Sequence, residues 1–289
     1  MSNQESELSS IELLPLLKDI EFWYYERHIS FLIAHKCYRR EFAILSADAK
    51  MRRTLRVHTA QNFEYIFRIW RVIMKFSRKK GLDKFYHSTA HYFNPVPYQN
   101  PDLSSNVVSK IWLSESWKFM DGYDLFIDID GETHDDFKAF KESMIKIHEF
   151  FSSINLPHEI FFSGCGFHIV VPFQYLPKLS LNPEEKNNIY DYCRKKAIFL
   201  HDKFSEMVDT SVYDSKRLMK CPYTLAQYGK DLYVCTPITT ESKIYDCTLE
   251  DFKIGSVNID NGFKLFYDKT KEVKLWVESE QPDQTSQTG

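Results

Sequence analysis

Glycine, proline, paired cysteines and surplus positive charge are all scarce in this chain of 289 residues. Its 9 glycines and 11 prolines make up about 7% of the chain, against a usual value of about 12%, which excludes collagen-like and low-complexity classes. The 43% apolar and 27% charged fractions exclude a wholly disordered chain. A chain of this length can bury roughly 75% of its unfolded surface, so it needs no disulfide or metal to fold.

The six cysteines contain no Cys-x-x-Cys pair, and no apolar run reaches about 18 residues. We therefore expect no structural zinc site, no iron–sulfur cluster and no membrane span. Scattered cysteines and a polar N-terminus unlike a signal peptide predict a reduced, cytoplasmic protein. The net charge of −3 provides no overall basic field, so a nucleic-acid-binding protein of this composition must concentrate its positive charge locally.

The hydrophobic pattern predicts an α/β (α+β) fold between two polar tails, 1–10 and 278–289, which we expect to be disordered. Helices are predicted over 11–37 and 61–77, and a β-hairpin over 41–58. A strand–helix–strand pattern then begins at residue 124. Its predicted strands are Leu125–Asp130, Glu159–Ser163 and Phe167–Val171, followed by short mixed strands to about 277.

Two helices accompany these strands. The first opens at Thr133 and Asp136, which resemble a capping box, and places apolar residues along one side: Phe137, Phe140, Met144, Ile147 and Phe151. The second begins at Pro183 and ends near Val208, because proline followed by acidic residues is typical of a first helical turn.

Paired carboxylates mark the end of the first strand of this pattern. Because side chains alternate along a strand, Asp128 and Asp130 emerge on the same face, with Cα atoms roughly 6.6 Å apart. That spacing suits one or two divalent cations, which two-metal sites hold about 3.5–4 Å apart. The alternative is a strand end entering a loop, where aspartate is common.

Two of the nine glycines lie close together in the segment Ser163-Gly164-Cys165-Gly166-Phe167-His168. Glycines allow a phosphate to approach the backbone closely, and Ser163 and His168 can donate hydrogen bonds to it. A Rossmann fingerprint fits poorly, since a strand follows and a third glycine is missing. The alternative is a plain hairpin whose histidine is packed or solvated.

A third candidate segment begins at Asp209 and continues to the cations Arg217 and Lys220. An aspartate followed by spaced cations can complete a metal site and neutralise a triphosphate. The alternative is a solvated loop with ordinary charges.

Taken together and in this order, the three patterns resemble the archaeo-eukaryotic primase superfamily, and within it the primase-polymerases. The family's hydrophobic-Asp-hydrophobic-Asp strand matches Asp128 and Asp130, its Ser-Gly-x-Gly-x-His segment matches Ser163–His168, and its third motif matches Asp209. Upstream, Arg40-Glu41-Phe42 is similar to the family's Arg-Glu-Phe segment, and Met51-Arg52-Arg53 to the basic strand after it. The short gap between the second and third motifs is similar to that of stand-alone, plasmid, viral or CRISPR-associated members.

The resemblance implies one catalytic domain over 11–277. An N-terminal α/β module (11–120) would pack on an RNA-recognition-motif-like module with a mixed sheet (121–277), with the active cleft between them. It also implies template-directed primer synthesis and primer extension from (d)NTPs on single-stranded DNA. Asp128, Asp130 and Asp209 would hold two Mg²⁺ or Mn²⁺ ions. Nucleotide-binding residues would be Ser163, Gly164, Gly166, His168, Arg217 and Lys220; Arg40, Arg52 and Arg53 are candidates for primer, template or nucleotide contacts.

An accessory template-binding domain, a helicase or a CRISPR adaptation protein are the partners that the resemblance implies, and the negative net charge is consistent with template grip supplied elsewhere. Two other classes stay open. One is a non-catalytic module that binds single-stranded nucleic acid, although a polyanion binder gains nothing from three carboxylates. The other is a different divalent-metal nucleotidyltransferase or a nuclease.

Overall fold

A computed structural model describes ten parts of the chain: 39–45, 51–57, 84–92, 120–130, 134–177, 188–214, 217–228, 231–257, 263–273 and 276. The predicted helices over 11–37 and 61–77 and both predicted tails lie outside the described residues. The strands are β1 (Glu41–Leu45), β2 (Met51–Val57), β3 (Lys84–Ser88), β4 (Ala90–Tyr92), β5 (Met120–Tyr123), β6 (Leu125–Asp130), β7 (Glu159–Phe162), β8 (Gly166–Val171), β9 (Leu218–Lys220), β10 (Leu225–Tyr228) and β11 (Asp231–Val234). The helices are α1 (Phe137–Ser153), α2 (Asn188–Phe204) and α3 (Glu241–Asp246).

The first sheet is antiparallel and has the strand order β2-β1-β3-β9. Strands β1 and β2 confirm the hairpin predicted over 41–58. Strand β9 joins this sheet by pairing with β3, although it follows residue 121 in the chain. One strand of the first sheet therefore comes from the part of the chain after residue 121.

The second sheet has the order β6-β8-β7, and its pairs are antiparallel. Val208 forms an antiparallel bridge with Ile129 at the free edge of β6. The connections thus follow the order β-α-β-β-α with a bridging segment at the end, which resembles the split β-α-β motif. The mixed sheet that we predicted is wrong for the described strands: β6 and β7 run parallel to each other, but β8 lies between them and runs antiparallel to both.

One face of the second sheet is covered by α1 and α2. On α1 the predicted apolar side is confirmed, because Phe140, Met144, Ile147 and Phe151 are fully buried and Phe137 is half-buried. The strand residues facing the helices are equally buried: Leu125, Ile127, Ile129, Phe167 and Ile169. Burial of these apolar side chains, from the helices and from the sheet, is the main force that packs the helices on the sheet.

The predicted helix ends differ from the observed ones. Helix α1 is preceded by a 3-10 turn, and the Asp136 side chain makes no cap hydrogen bond; Thr133 lies outside the described residues. Helix α2 begins at Asn188 among the described residues and ends at Phe204, before Val208. The chain leaves the helix there because the segment up to Val208 turns to bridge β6.

The last part of the chain was predicted as short strands, and that prediction is only partly correct. Strands β10 and β11 form a two-stranded hairpin, but the chain then forms α3 and a 3-10 turn over Leu249–Phe252. The side chain of Thr240 accepts a hydrogen bond from the Lys243 backbone and so caps α3. Among the described residues, no helix has the length and apolar character required to cross a membrane.

Candidate active site

Strand alternation presents Asp128 and Asp130 on the face of β6 that the helices leave uncovered. Leu125, Ile127 and Ile129 point towards the helices and are fully buried. The Asp128 side chain is 17% exposed, and Asp130 is exposed at the strand end. The two carboxylates therefore share one face, as their spacing predicts.

Asp209 lies beside this strand because the chain after α2 bridges the edge of β6. The backbone N–H of Asp209 donates to the carbonyl of Asp128 at 2.9 Å, and that of Asp130 donates to the carbonyl of Met207 at 3.3 Å. The structure thus brings the backbone of Asp209 next to the strand that carries the first two carboxylates. The Oδ1 atom of Asp209 accepts a hydrogen bond from the Ser211 backbone at 2.7 Å.

His168 is the cross-strand partner of Asp128, since β8 pairs with β6 in that register. Its Nε2 atom is 3.4 Å from Asp128 Oδ1, and its ring packs edge-on against Phe126 at 4.8 Å between centroids. The sequence places His168 on a different strand from the carboxylates, which is confirmed. The direct contact with Asp128 depends on strand register and was not predicted.

The charges around Asp128 shift its titration. Burial alone would raise the pKa of Asp128, but the neighbouring His168, Lys220 and Arg217 hold it below its usual value. Desolvation and the charge of Asp128 raise the pKa of Asp130. Opposite shifts in adjacent carboxylates are expected where two like charges share one site.

Ser163 and the glycines form the turn between β7 and β8. The Ser163 carbonyl accepts hydrogen bonds from Lys220 Nζ at 2.8 Å and from Cys235 Sγ at 3.1 Å. Gly164 has a φ of +99°, and a Cβ atom at Gly166 would lie 1.9 Å from the carbonyl oxygen of Ile129. Chain packing therefore requires both glycines, whether or not a phosphate binds there.

The two predicted cations lie at β9, with Lys220 on the strand and Arg217 directly before it. Lys220 is half-buried; burial lowers its pKa, but Cys235, Tyr86 and Asp130 offset this and raise it. Arg217 Nη2 lies 3.6 Å from an Asp214 carboxylate oxygen. Both cations contribute to lowering the pKa of Asp128, so they act on the carboxylate cluster.

Three buried side-chain polar atoms of the described residues lack a hydrogen bond of good geometry: Asp128 Oδ1, which His168 Nε2 approaches only to 3.4 Å, Ser163 Oγ and Arg217 Nε. All three belong to residues that the sequence singled out. Because an unpaired buried polar atom is unfavourable by about 1–3 kcal/mol, native proteins retain few of them. This coincidence indicates a site whose polar groups are arranged for a ligand.

The upstream arginines lie on or beside the first sheet. Arg40 is buried and forms an ion pair with Asp124, with 2.6 Å between Nη2 and Oδ2. This places its guanidinium inside the protein, and its contact with primer, template or nucleotide stays a prediction. Arg52 and Arg53 lie on the edge strand β2, opposite Ile44 and Ala43 in register.

Tyr86 is a member of the cluster that was not predicted as a site residue. It is the cross-strand partner of Lys220, and burial raises its pKa while the Lys220 charge opposes that rise. The charge of Asp128 also acts on it. Only the pairing of β3 with β9 brings Tyr86 here, and the sequence carries no local signal of that pairing.

The oxygen atoms at this site are of the type that binds the predicted ions, Mg²⁺ and Mn²⁺. Carboxylate oxygens suit Mg²⁺ and Mn²⁺, and Asp128 Oδ1 is buried and unpaired. In the part of the chain that the structure describes, no three His, Cys, Asp or Glu side chains are grouped closely enough to hold a metal. The carboxylate pair on β6 therefore fits such an ion, and Asp209 is a neighbour whose Oδ1 is held by Ser211.

The chain is similar in structure to the polymerase domain of Ligase D from Mycobacterium tuberculosis, solved in complex with DNA. The TM-score is 0.46 and the sequence identity 12%, over 81% of this chain and 85% of that chain. No protein-family model matches the chain. No curated protein matches it either.

Proposed function

We propose that this chain is a primase-polymerase, which synthesises and extends primers on single-stranded DNA by nucleotidyl transfer from (d)NTPs. The observation that carries the proposal is that the three unpaired buried polar atoms all lie on predicted site residues. An apolar or merely structural core would not retain them. The reaction itself, nucleotidyl transfer, is proposed because the three sequence motifs occur in the order typical of primase-polymerases.

The carboxylates of Asp128 and Asp130, joined by Asp209, would hold two Mg²⁺ or Mn²⁺ ions. When bound, such ions lower the pKa of an attacking hydroxyl and stabilise the oxygens of the leaving phosphate. The Oδ1 atom of Asp209 accepts the N–H of Ser211, which would orient this carboxylate. His168 lies 3.4 Å from Asp128 Oδ1 on the neighbouring strand and would donate to the triphosphate.

The cationic side of the cluster would bind the triphosphate. Lys220 is oriented by the Ser163 carbonyl, and its ammonium retains further donors for phosphate oxygens. The unpaired Ser163 Oγ and Arg217 Nε are available as donors to the same anion. Charge-assisted hydrogen bonds of this kind are shorter and stronger than neutral ones.

The reaction joins the primer 3′-oxygen to the α-phosphorus of the incoming nucleotide. The bond from that phosphorus to the bridging oxygen breaks, pyrophosphate leaves, and the hydroxyl proton passes to solvent. Residues of this chain supply binding and orientation, which accounts for most of the barrier reduction in phosphoryl transfer.

One gel assay tests the proposal and separates its alternatives. Purified protein is incubated with single-stranded DNA template, labelled nucleotides and Mn²⁺, with and without an annealed primer. Products elongated by the wild type and not by Asp128→Asn support the proposal. Asp202→Asn is the matched control, because this exposed carboxylate lies on α2 and pairs with His201.

Other outcomes contradict the proposal. Shortened DNA would indicate a nuclease, and a shifted but unchanged template would indicate a binding module. Elongation that persists in Asp128→Asn would remove that carboxylate from the reaction.

A further inference from the structure

A second buried polar group lies between the two sheets, and the proposed reaction does not use it. We call it the junction: Arg40, Ser88, Thr89 and Asp124. Arg40 is 9% exposed and Asp124 is 1% exposed. Besides its 2.6 Å contact with Asp124, Arg40 donates through Nη1 to the carbonyls of Ser88 at 3.0 Å and Thr89 at 3.1 Å. One guanidinium thus connects three acceptors from two segments.

Asp124 attaches the junction to the strand that carries the carboxylates. It immediately precedes β6, which contains Asp128 and Asp130. Its Oδ1 accepts the backbone N–H of Phe173 at 3.0 Å, and its own N–H donates to the carbonyl of Thr89 at 3.1 Å. The start of β6 is therefore fixed on two sides.

Thr89 attaches the same junction to the cationic side. Its backbone N–H donates to the carbonyl of Arg217 at 3.2 Å. Arg217 directly precedes β9, which carries Lys220. The two halves of the candidate site, carboxylates and cations, are thus held through one buried ion pair.

We propose that Arg40 and Asp124 are positioning residues that set the spacing between the β6 carboxylates and the cations Arg217 and Lys220. This inference rests on the proposed function and deepens it. A buried ion pair is weak evidence for stability, because well-packed apolar residues in its place are often neutral or stabilising. A forked guanidinium with fixed acceptors instead defines geometry.

The test is the double variant Arg40→Met/Asp124→Leu, which removes both charges and keeps apolar bulk. We expect its urea midpoint to fall, because the Phe173 N–H and the carbonyls of Ser88 and Thr89 lose buried partners. We also expect kcat for primer extension in Mn²⁺ to fall more than about 10-fold, since small misplacements in a site can lower rates about 100-fold. The control is Asn155→Ala, whose side chain bonds the Asp268 backbone through Oδ1 at 2.8 Å and Nδ2 at 3.2 Å. It should lose stability and keep kcat.

A double variant with wild-type kcat overturns the inference. If that variant fails to fold, Asp124→Asn takes its place. Its Oδ1 still accepts the Phe173 N–H, but its NH₂ group faces the Arg40 N–H donors and cannot accept from them. At equal stability, its kcat should be lower than that of Asn155→Ala. Wild-type protein without any extension contradicts the proposed function alone. Mn²⁺ affinity measured by electron paramagnetic resonance then decides the inference: weaker binding in the variant supports it, and equal binding contradicts it.

Discussion

The junction around Arg40 and the cluster around Asp128 are both polar and buried, but their polar atoms are paired differently. At the junction, a guanidinium and a carboxylate are satisfied by each other and by backbone groups. At the cluster, Asp128, Ser163 and Arg217 each keep a buried atom without a partner. The same fold therefore satisfies polar atoms where they hold strands together and leaves them unsatisfied where a ligand is expected. Loss of a paired group should therefore lower stability, and at the junction the rate as well, whereas loss of an unpaired group should lower activity alone.

The largest effect is expected at Asp128. Asp128→Asn should lower primer extension more than about 100-fold, because a carboxylate ligand is lost from the proposed metal site. The melting temperature should change little, because the Asp128 charge is repelled by Asp130 and attracted by His168, Lys220 and Arg217. Extension rates and thermal unfolding measured side by side check this. If Asp128→Asn lost activity only because it unfolds, the contrast between the junction and the cluster would be contradicted.

Gly166→Ala should lower stability, because the backbone of β6 leaves no room for a side chain there. The added Cβ would lie 1.9 Å from the carbonyl oxygen of Ile129, so β6 and β8 must separate. Overpacking of this kind typically costs about 1–3 kcal/mol of unfolding free energy. Gly255→Ala is the control, because a Cβ there meets nothing within 4 Å. Urea denaturation showing equal effects for both would rule out the close approach.

Two buried serines provide the most direct comparison of paired and unpaired groups. Ser88 Oγ accepts from the Glu41 backbone at 3.0 Å and donates to the Ala90 carbonyl at 2.7 Å, whereas Ser163 Oγ has no partner. Ser88→Ala should therefore lower the unfolding free energy by about 1–3 kcal/mol. Ser163→Ala should leave it unchanged or higher, and reduce nucleotide use about 10-fold. Reversed effects on stability would contradict this assignment.

The smallest effect at neutral pH is expected at His158, which belongs to the paired class. Its Nε2 contacts His148 Nδ1 at 2.8 Å, and its Nδ1 contacts the Leu156 carbonyl at 2.8 Å. Burial lowers the pKa of His158 to about 3. The unfolded chain therefore binds more protons below a pH of about 6.5, so this contribution is present above that pH and lost as the pH falls towards 3. Urea unfolding between pH 7 and 4 should show this decline, and His158→Asn should flatten it.

Sequence patterns predicted those features that depend on neighbours along the chain. The alternation in β6 placed Asp128 and Asp130 on one face, and the helical spacing in α1 identified its buried side. These follow from local periodicity, which a single sequence displays.

Features that depend on distant pairing were not predictable in this way. From the sequence, Arg40 is an ordinary basic residue, and only the fold places Asp124 beside it. Tyr86 likewise lies at the site only because β3 pairs with β9. The antiparallel sheet likewise depends on β8 lying between β6 and β7. No local pattern contains this information, since each contact joins residues far apart in sequence.

The return of β9 to the first sheet has a consequence for synthesis on the ribosome. Strand β3 is made more than 100 residues before β9, so one of its edges has no partner until Leu218–Lys220 emerges. At roughly 5–20 residues per second, this delay is on the order of 10 s. During that time β3 presents free backbone N–H and C=O groups, which can pair with another chain. Nascent chains truncated between 92 and 217 should therefore aggregate more readily than the full-length protein.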